Sequence, residues 1–189
     1  MYTDLIQIIE RLFAKQKVVV IAISGHGGSG KSTLADKLAS RFNVAENQIV
    51  RVDDLHAKNY MQTNGLFELH DWTTIMDILV NAHISKRLKY LKRDDKEIES
   101  RVDVPSPHLL ILEGIRLIRP EILPYVDISV WIDCPLDVAT KRAKDRNRQQ
   151  GDSEAEIALW DSKWVPEAEQ YVEQVDPRSL ASLIYDEYA

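Results

Sequence analysis

The 189-residue sequence is sparing with the residues that staple, interrupt or anchor a chain. One cysteine, Cys134, rules out an intramolecular disulfide and fits a reducing, cytoplasmic setting. Apolar runs stay short: the longest strongly apolar one, Val18 to Ile23, is strand-sized, far below a membrane span. Met1-Tyr2-Thr3-Asp4 lacks the basic start of a secretion signal. Basic charge is also in deficit. The formal net charge of -6 weighs against a nonspecific nucleic-acid binder. Neither a nucleic-acid nor a membrane partner is therefore expected, and the oligomeric state is left open. There is no internal repeat, no low-complexity stretch and no Pro/Gly/Ser-rich linker, so residues 1–189 read as one domain.

Only seven glycines are present, and four of them crowd one loop: Gly25, Gly27, Gly28 and Gly30. The segment Gly25-His26-Gly27-Gly28-Ser29-Gly30-Lys31-Ser32 has the spacing of a phosphate-binding P-loop. Glycine is needed where backbone amides must wrap an anion at close range, and the next helix adds its positive end. Lys31 is placed to reach the β and γ phosphates, and Ser32, followed by Thr33, to ligate magnesium. His26 occupies a variable position of the loop and reads as a tolerated side chain. The context agrees with the motif: a buried strand precedes it, and a helix with Leu34, Leu38 and Phe42 on one face follows.

The rest of the pattern alternates helices with short apolar strands. An amphipathic helix carries Leu5, Ile8, Ile9, Leu12 and Phe13, and strands are expected at Val18–Ser24, Ile49–Val52, Leu109–Leu112 and Asp127–Asp133. A short last strand is expected at Ala181–Tyr185. A helix is expected from Thr73 to about Ser85, and a hairpin over 87–104 around Asp94-Asp95. A basic helix follows from Leu136 to Arg148, with a loop at Gln149–Asp152. Ser153–Val172 should be helical with a bend near Pro166. The fold class is α/β: a three-layer P-loop fold with a parallel central sheet and a helical lid. The hairpin and the region 136–152 read as insertions on it.

In such a sheet, function collects at the carboxyl ends of the strands. Three of those ends bear acids. Asp53, with Asp54 as alternate, is the candidate base that orients an attacking hydroxyl, and its other role is a magnesium carboxylate. Glu113, closing Leu109-Leu110-Ile111-Leu112, is placed for magnesium as well. Asp133 reads as a strand end. Lys141, Arg142, Lys144, Arg146 and Arg148 crowd one helix and its exit. Arg142 and Arg146, one turn apart, can face the same triphosphate. The polar and aromatic stretches Leu55 to Tyr60, which holds His56, and His70-Asp71-Trp72 could shape an acceptor pocket, although Asp71 could equally cap the helix after it. Trp160, Trp164 and Tyr171 read as packing residues.

Four stretches taken in order resemble the phosphoribulokinase/uridine kinase family. They are Ile-Ser-Gly-His-Gly-Gly-Ser-Gly-Lys-Ser-Thr-Leu-Ala at 23–35, Val-Asp-Asp-Leu-His at 52–56, Leu-Leu-Ile-Leu-Glu-Gly-Ile at 109–115, and the arginine-bearing helix after Trp-Ile-Asp-Cys-Pro at 131–135. The resemblance covers roughly residues 17 to 150. It implies a kinase that uses ATP and magnesium to phosphorylate a hydroxyl of a small acceptor, often a nucleoside such as uridine or cytidine. It carries the base onto Asp53, the glutamate before glycine onto Glu113, and lid arginines onto Arg142 and Arg146. Two departures stand out. Leu55-His56 occupies the place of the family's usual phenylalanine and tyrosine. The hairpin offers Tyr90, Arg93 and Arg101 to an acceptor but no histidine. Another metabolite, such as nicotinamide riboside, pantothenate or a sugar, thus remains an alternative acceptor, and a non-catalytic nucleotide-binding module an alternative role. A guanine-nucleotide switch is disfavoured, because no Asn-Lys-x-Asp motif occurs.

Overall fold

The computed structural model describes residues 1–59, 65–94 and 96–186. Tyr60 and Asp95, the ends of two stretches singled out above, lie outside the described residues.

Five strands form a parallel sheet in the order β2-β5-β1-β6-β7. They are β1 (Val19–Ser24), β2 (Val50–Arg51), β5 (Leu109–Glu113), β6 (Ile128–Ile132) and β7 (Leu183–Tyr185). β1 lies at the centre because it is apolar from Val19 to Ile23, and all six of its residues are buried. Alternate side chains serve opposite faces. Val19, Ile21 and Ile23 join Leu109, Ile111, Ile128, Val130 and Ile132 on one face. There they pack on α1 (Tyr2–Phe13), through Leu5 and Ile9, and on α2 (Lys31–Phe42), through Leu34, Leu38 and Phe42. Val20, Ala22, Val50, Val52, Leu110 and Leu112 serve the other face. It is covered by α3 (Trp72–Asn81) and by the antiparallel hairpin of β3 (Arg87–Arg93) and β4 (Glu99–Pro105). A third cluster, Leu66, Ile118, Trp131 and Tyr171, extends that face.

After β6 the chain forms α4 (Leu136–Gln150), α5 (Glu154–Leu159), α6 (Val165–Val175) and α7 (Pro177–Leu180). Several boundaries differ from the sequence reading. α4 continues through Gln149 and Gln150, and Gly151 ends it at φ 92°, a left-handed C-terminus that suits glycine. α3 stops at Asn81, where the Asn81 side chain turns back onto the Asp77 carbonyl. β2 pairs only over Val50–Arg51, because Val52–Asp54 winds into a single 3-10 turn that carries Asp53 away from the sheet. The bend near Pro166 is a π-helical turn, Trp160–Trp164, ahead of the proline. A proline cannot donate the helical hydrogen bond, and a widened turn absorbs that mismatch.

Candidate active site

Strand register brings the chemistry into one row. Ile23 pairs with Glu113, Arg51 also pairs with Glu113, and Ser24 pairs with Trp131. The glycine loop leaves β1 at the middle of that row and enters α2 with Gly28 at φ 85° and Gly30 at φ 99°. Those angles turn the loop around a concave centre that an ordinary residue would strain. A cleft of about 600 Å³ opens there. Gly25, His26, Gly27, Gly28, Gly30, Lys31, Ser32 and Thr33 line its floor, with Asp53 and His56 on one side and Arg142 and Arg146 on the other. The Ser29 hydroxyl is buried beneath the loop with no hydrogen-bond partner among the described residues.

Lys31 is buried, and its Nζ donates to the His26 carbonyl at 2.9 Å. Burial lowers its pKa, the Asp53 and Glu113 charges oppose that, and Arg146 adds to it. Glu113 is 3% exposed. Its Oε1 accepts from Ser32 Oγ at 3.0 Å and from the Arg51 guanidinium at 2.9 Å. Burial pushes the Glu113 carboxyl up, against the field of Lys31. Arg51 also holds Asp36 and Glu46, both at 2.7 Å, which locks β2 to α2. Glu113 Oε2 is buried and has no partner among the described residues. A bare carboxylate oxygen beside the Ser32 hydroxyl fits a hydrated magnesium ion, whose ligands are hard oxygens and waters.

The Asp53 side chain is 71% open to the solvent of the cleft, while protein encloses it from behind. Burial opposes its charge, but His70, Lys31 and His56 outweigh that and hold the carboxyl at about 2. His26 packs edge-on to Trp131, at 5.3 Å between ring centres. Burial, helped by Lys31 and opposed by Asp133, lowers its pKa to about 4, so it is neutral at pH 7.

The basic helix divides by face. Lys141 pairs with Asp145 at 2.8 Å, Lys144 with Asp161 at 2.6 Å, and Arg148 with Asp145 and Glu154. Arg142 and Arg146 line the cleft instead. The helix also sits on the loop itself: a Cβ built on Gly28 would lie 2.2 Å from the Ala139 carbonyl oxygen of α4. A Cβ on Gly27 would lie 2.6 Å from the Trp160 ring. These two glycines thus serve close packing by α4 and Trp160 as well as loop curvature.

On the acceptor side the structure rearranges the expected set. His56 lines the cleft, but Asp71, Tyr90 and Arg101 do not. Asp71 caps α3, accepting from Thr74 N at 3.0 Å and Thr74 Oγ1 at 2.8 Å. Tyr90 points into the core under the hairpin, where burial raises its phenol above the ordinary range. Arg101 is exposed on β4. Asp54, the alternate base, pairs with Lys92 at 2.6 Å and does not line the cleft. Asp133 holds Arg178 at 2.8 Å.

Two contributors escaped the sequence reading, and a third had no role assigned to it. Arg116, at φ 62° and buried, lines the cleft and binds Glu167 at 2.5 Å. His70, part of the expected acceptor stretch His70-Asp71-Trp72 but given no role of its own there, is buried behind Asp53. Trp131 lines the cleft together with Trp160, Trp164 and Tyr171, so residues read as packing also form cleft wall. Position within a motif could have flagged Arg116, two residues past Glu113-Gly114; nothing local distinguishes His70.

The model of a family described as "AAA domain" matches residues 21–159, most of the chain. The chain belongs to the AAA domain family. The chain is also similar to uridine kinases. A uridine kinase of Ureaplasma parvum is 23% identical over 188 residues, covering 90% of this chain and 89% of that protein. Among solved structures, a candidate fructose transport system kinase from Silicibacter sp. TM1040 superposes with a TM-score of 0.77 at 22% identity, covering 98% of both chains. A possible uridine kinase from Bacillus stearothermophilus gives 0.64 at 22% identity, covering 97% of this chain and all of that one. The α/β P-loop architecture of this AAA domain is thus shared with kinases. Among the described residues, no helix is long and apolar enough to cross a membrane.

Proposed function

We propose that this P-loop kinase transfers the γ-phosphoryl group of ATP to a hydroxyl of a small acceptor, with a nucleoside such as uridine or cytidine the first to test. The observation that carries the reading is the placement of Asp53. It is a carboxylate held at about 2 on the wall of a cleft whose floor is Lys31 and the glycine loop. An ionised carboxylate facing a phosphate site can orient a hydroxyl and accept its proton as the phosphoryl group arrives.

The loop amides and Lys31 would hold the triphosphate, and Ser32 and Glu113 the magnesium shell. Magnesium supplies neutralisation of the phosphate oxygens as charge shifts during transfer. Asp53, also a candidate magnesium carboxylate by sequence, is assigned to the acceptor, because its carboxyl is open to the cleft whereas Glu113 is buried against Ser32. Arg142 and Arg146 would stabilise the transferring group, with 136–152 acting as the lid that excludes water. Close packing of α4 on Gly28 and of Trp160 on Gly27 supports a single domain.

A second reading has its own support. Asp71, Tyr90 and Arg101 stand away from the cleft, and the acceptor wall is His56, Leu69 and Arg116. That wall suits a sugar or another polyhydroxy metabolite as well as a nucleoside. Incubation with magnesium-ATP and a panel of nucleosides, ribosides, sugars and vitamins, followed by ADP release, separates the readings. Acceptor-dependent ADP supports a kinase and names its acceptor class. ATP binding without turnover on any acceptor would make the chain a nucleotide-binding module.

A further inference from the structure

His70 is the least explained polar residue near the cleft. Its side chain is 1% exposed. Neither Nδ1 nor Nε2 has a hydrogen-bond partner among the described residues. A buried imidazole without a partner is costly, so one with a carboxylate at hand calls for a reason. Nε2 faces Asp53 Oδ1 at 3.7 Å, just beyond hydrogen-bond range.

The backbone is built to put it there. The strand-like strap at 69–71 is stitched to the segment that follows Asp53. Ala57 N donates to the Leu69 carbonyl at 3.0 Å, Asp71 N donates to the Leu55 carbonyl at 2.7 Å, and His56 and His70 form an antiparallel bridge. The ring is then clamped. It stacks on His56 at 5.8 Å and 22°, and meets Trp72 edge-on at 5.7 Å and 75°. Asp53 sits on a one-turn 3-10 segment with its side chain mostly in solvent, so little else restrains its rotation. Asp53 lines the cleft, whereas His70 does not.

We propose that His70 is a positioning residue: its Nε2–H holds Oδ1 of Asp53 from behind, leaving Oδ2 aimed into the cleft at the acceptor hydroxyl. The inference rests on Asp53 as base. Hydrogen bonds of this kind are often long without substrate and tighten in the reacting complex. Fixing the carboxylate removes rotational freedom that would otherwise be lost on the way to the transition state.

Two substitutions separate positioning from core filling. His70→Phe keeps the ring volume and removes the donor. His70→Gln keeps a donor near Nε2 and changes the packing. Positioning predicts that His70→Phe lowers kcat about 10- to 100-fold, with KM for ATP and acceptor within about two-fold, while His70→Gln stays within a few-fold. Core filling predicts the reverse order, and wild-type kcat in folded His70→Phe overturns the proposal. Asp53→Asn is measured beside them. If it retains full kcat, the base reading fails. If it is inactive while His70→Phe is fully active, only the His70 inference fails. A readout independent of any acceptor is the ¹⁵N spectrum of the imidazoles. Nε2 of His70 should carry a proton in the wild type, and Asp53→Ala should shift its resonance. A bare Nε2, or no response to Asp53→Ala, overturns the proposal.

Discussion

The floor and the acceptor wall of the cleft are built on different plans. The floor is one contiguous run, Gly25 to Thr33, whose binding groups are mainly backbone amides and whose shape is set by Gly28 and Gly30 at positive φ. The wall is assembled from side chains brought together by folding. Asp53 and His56 come from the turn after β2 and the segment that follows it, Leu69 from a strap ahead of α3, and Arg116 from the chain after β5. A contiguous backbone site tolerates little change, because each residue is a turn as well as a ligand. A wall of side chains can be re-lined while the sheet stays as it is. Under the proposed function, the floor would hold the triphosphate and the wall would select the acceptor hydroxyl.

The sharpest way to test this division is to damage one side and ask whether the other still works. Asp53→Asn removes the proposed general base without disturbing the loop. Turnover should fall about 10²- to 10⁴-fold while ATP affinity, read by calorimetry or nucleotide competition, stays near wild type. A variant that turned over normally would remove Asp53 from the chemistry. Lys31→Ala attacks the floor. It should cost about 10²- to 10³-fold in kcat and weaken ATP binding as well, because the lysine serves both ground state and transition state. Weakened ATP binding in Asp53→Asn, or intact binding in Lys31→Ala, would break the division between floor and wall.

The same division explains what could be read from the sequence. The sheet was legible because β1, β5 and β6 are short, mostly apolar runs rich in Val, Ile and Leu, the mark of strands buried on both faces. The floor was legible because glycine spacing is a local signal. The reading failed where partners are distant. Asp71 has the same type of carboxylate as Asp53, but Thr74 three residues on turns it into a helix cap. Tyr90 looked available on a hairpin, yet strand alternation puts it with Leu88 on the core face. His70 gained its meaning only when the strap at 69–71 folded back on 55–57, a pairing that no spacing rule reveals.

Two glycines with nearly the same backbone test how much of the floor is packing rather than curvature. Gly28 at φ 85° has the α4 backbone against it, whereas Gly151 at φ 92° faces open space within 4 Å. Gly151→Ala should cost only the left-handed strain, about 1–2 kcal/mol, seen as a drop in Tm with kcat unchanged. Gly28→Ala adds a contact that neither backbone can yield. It should push α4 off the loop and reduce kcat as well as Tm. Equal effects from the two substitutions would mean that the α4 contact contributes nothing to the site.

The smallest expected effect concerns acid stability, where floor and wall separate by pH. His26 has its pKa lowered from 6.5 to about 4, and Asp53 from 3.8 to about 2. In each case the unfolded chain takes up a proton before the folded chain does, so stability falls as pH falls through the interval between the two values. The intervals barely touch: about 6.5 down to 4 for His26, and 3.8 down to 2 for Asp53. Asp53 is wet, so solvent screens its share. Urea unfolding at pH 7 and pH 4.5 should therefore show a loss of stability that His26→Gln reduces and Asp53→Asn leaves alone. A loss that became steeper in Asp53→Asn over that range would mean that the folded chain protonates Asp53 first, with the carboxyl above 3.8. It would then lack the lysine and histidine support on which its role at the wall depends.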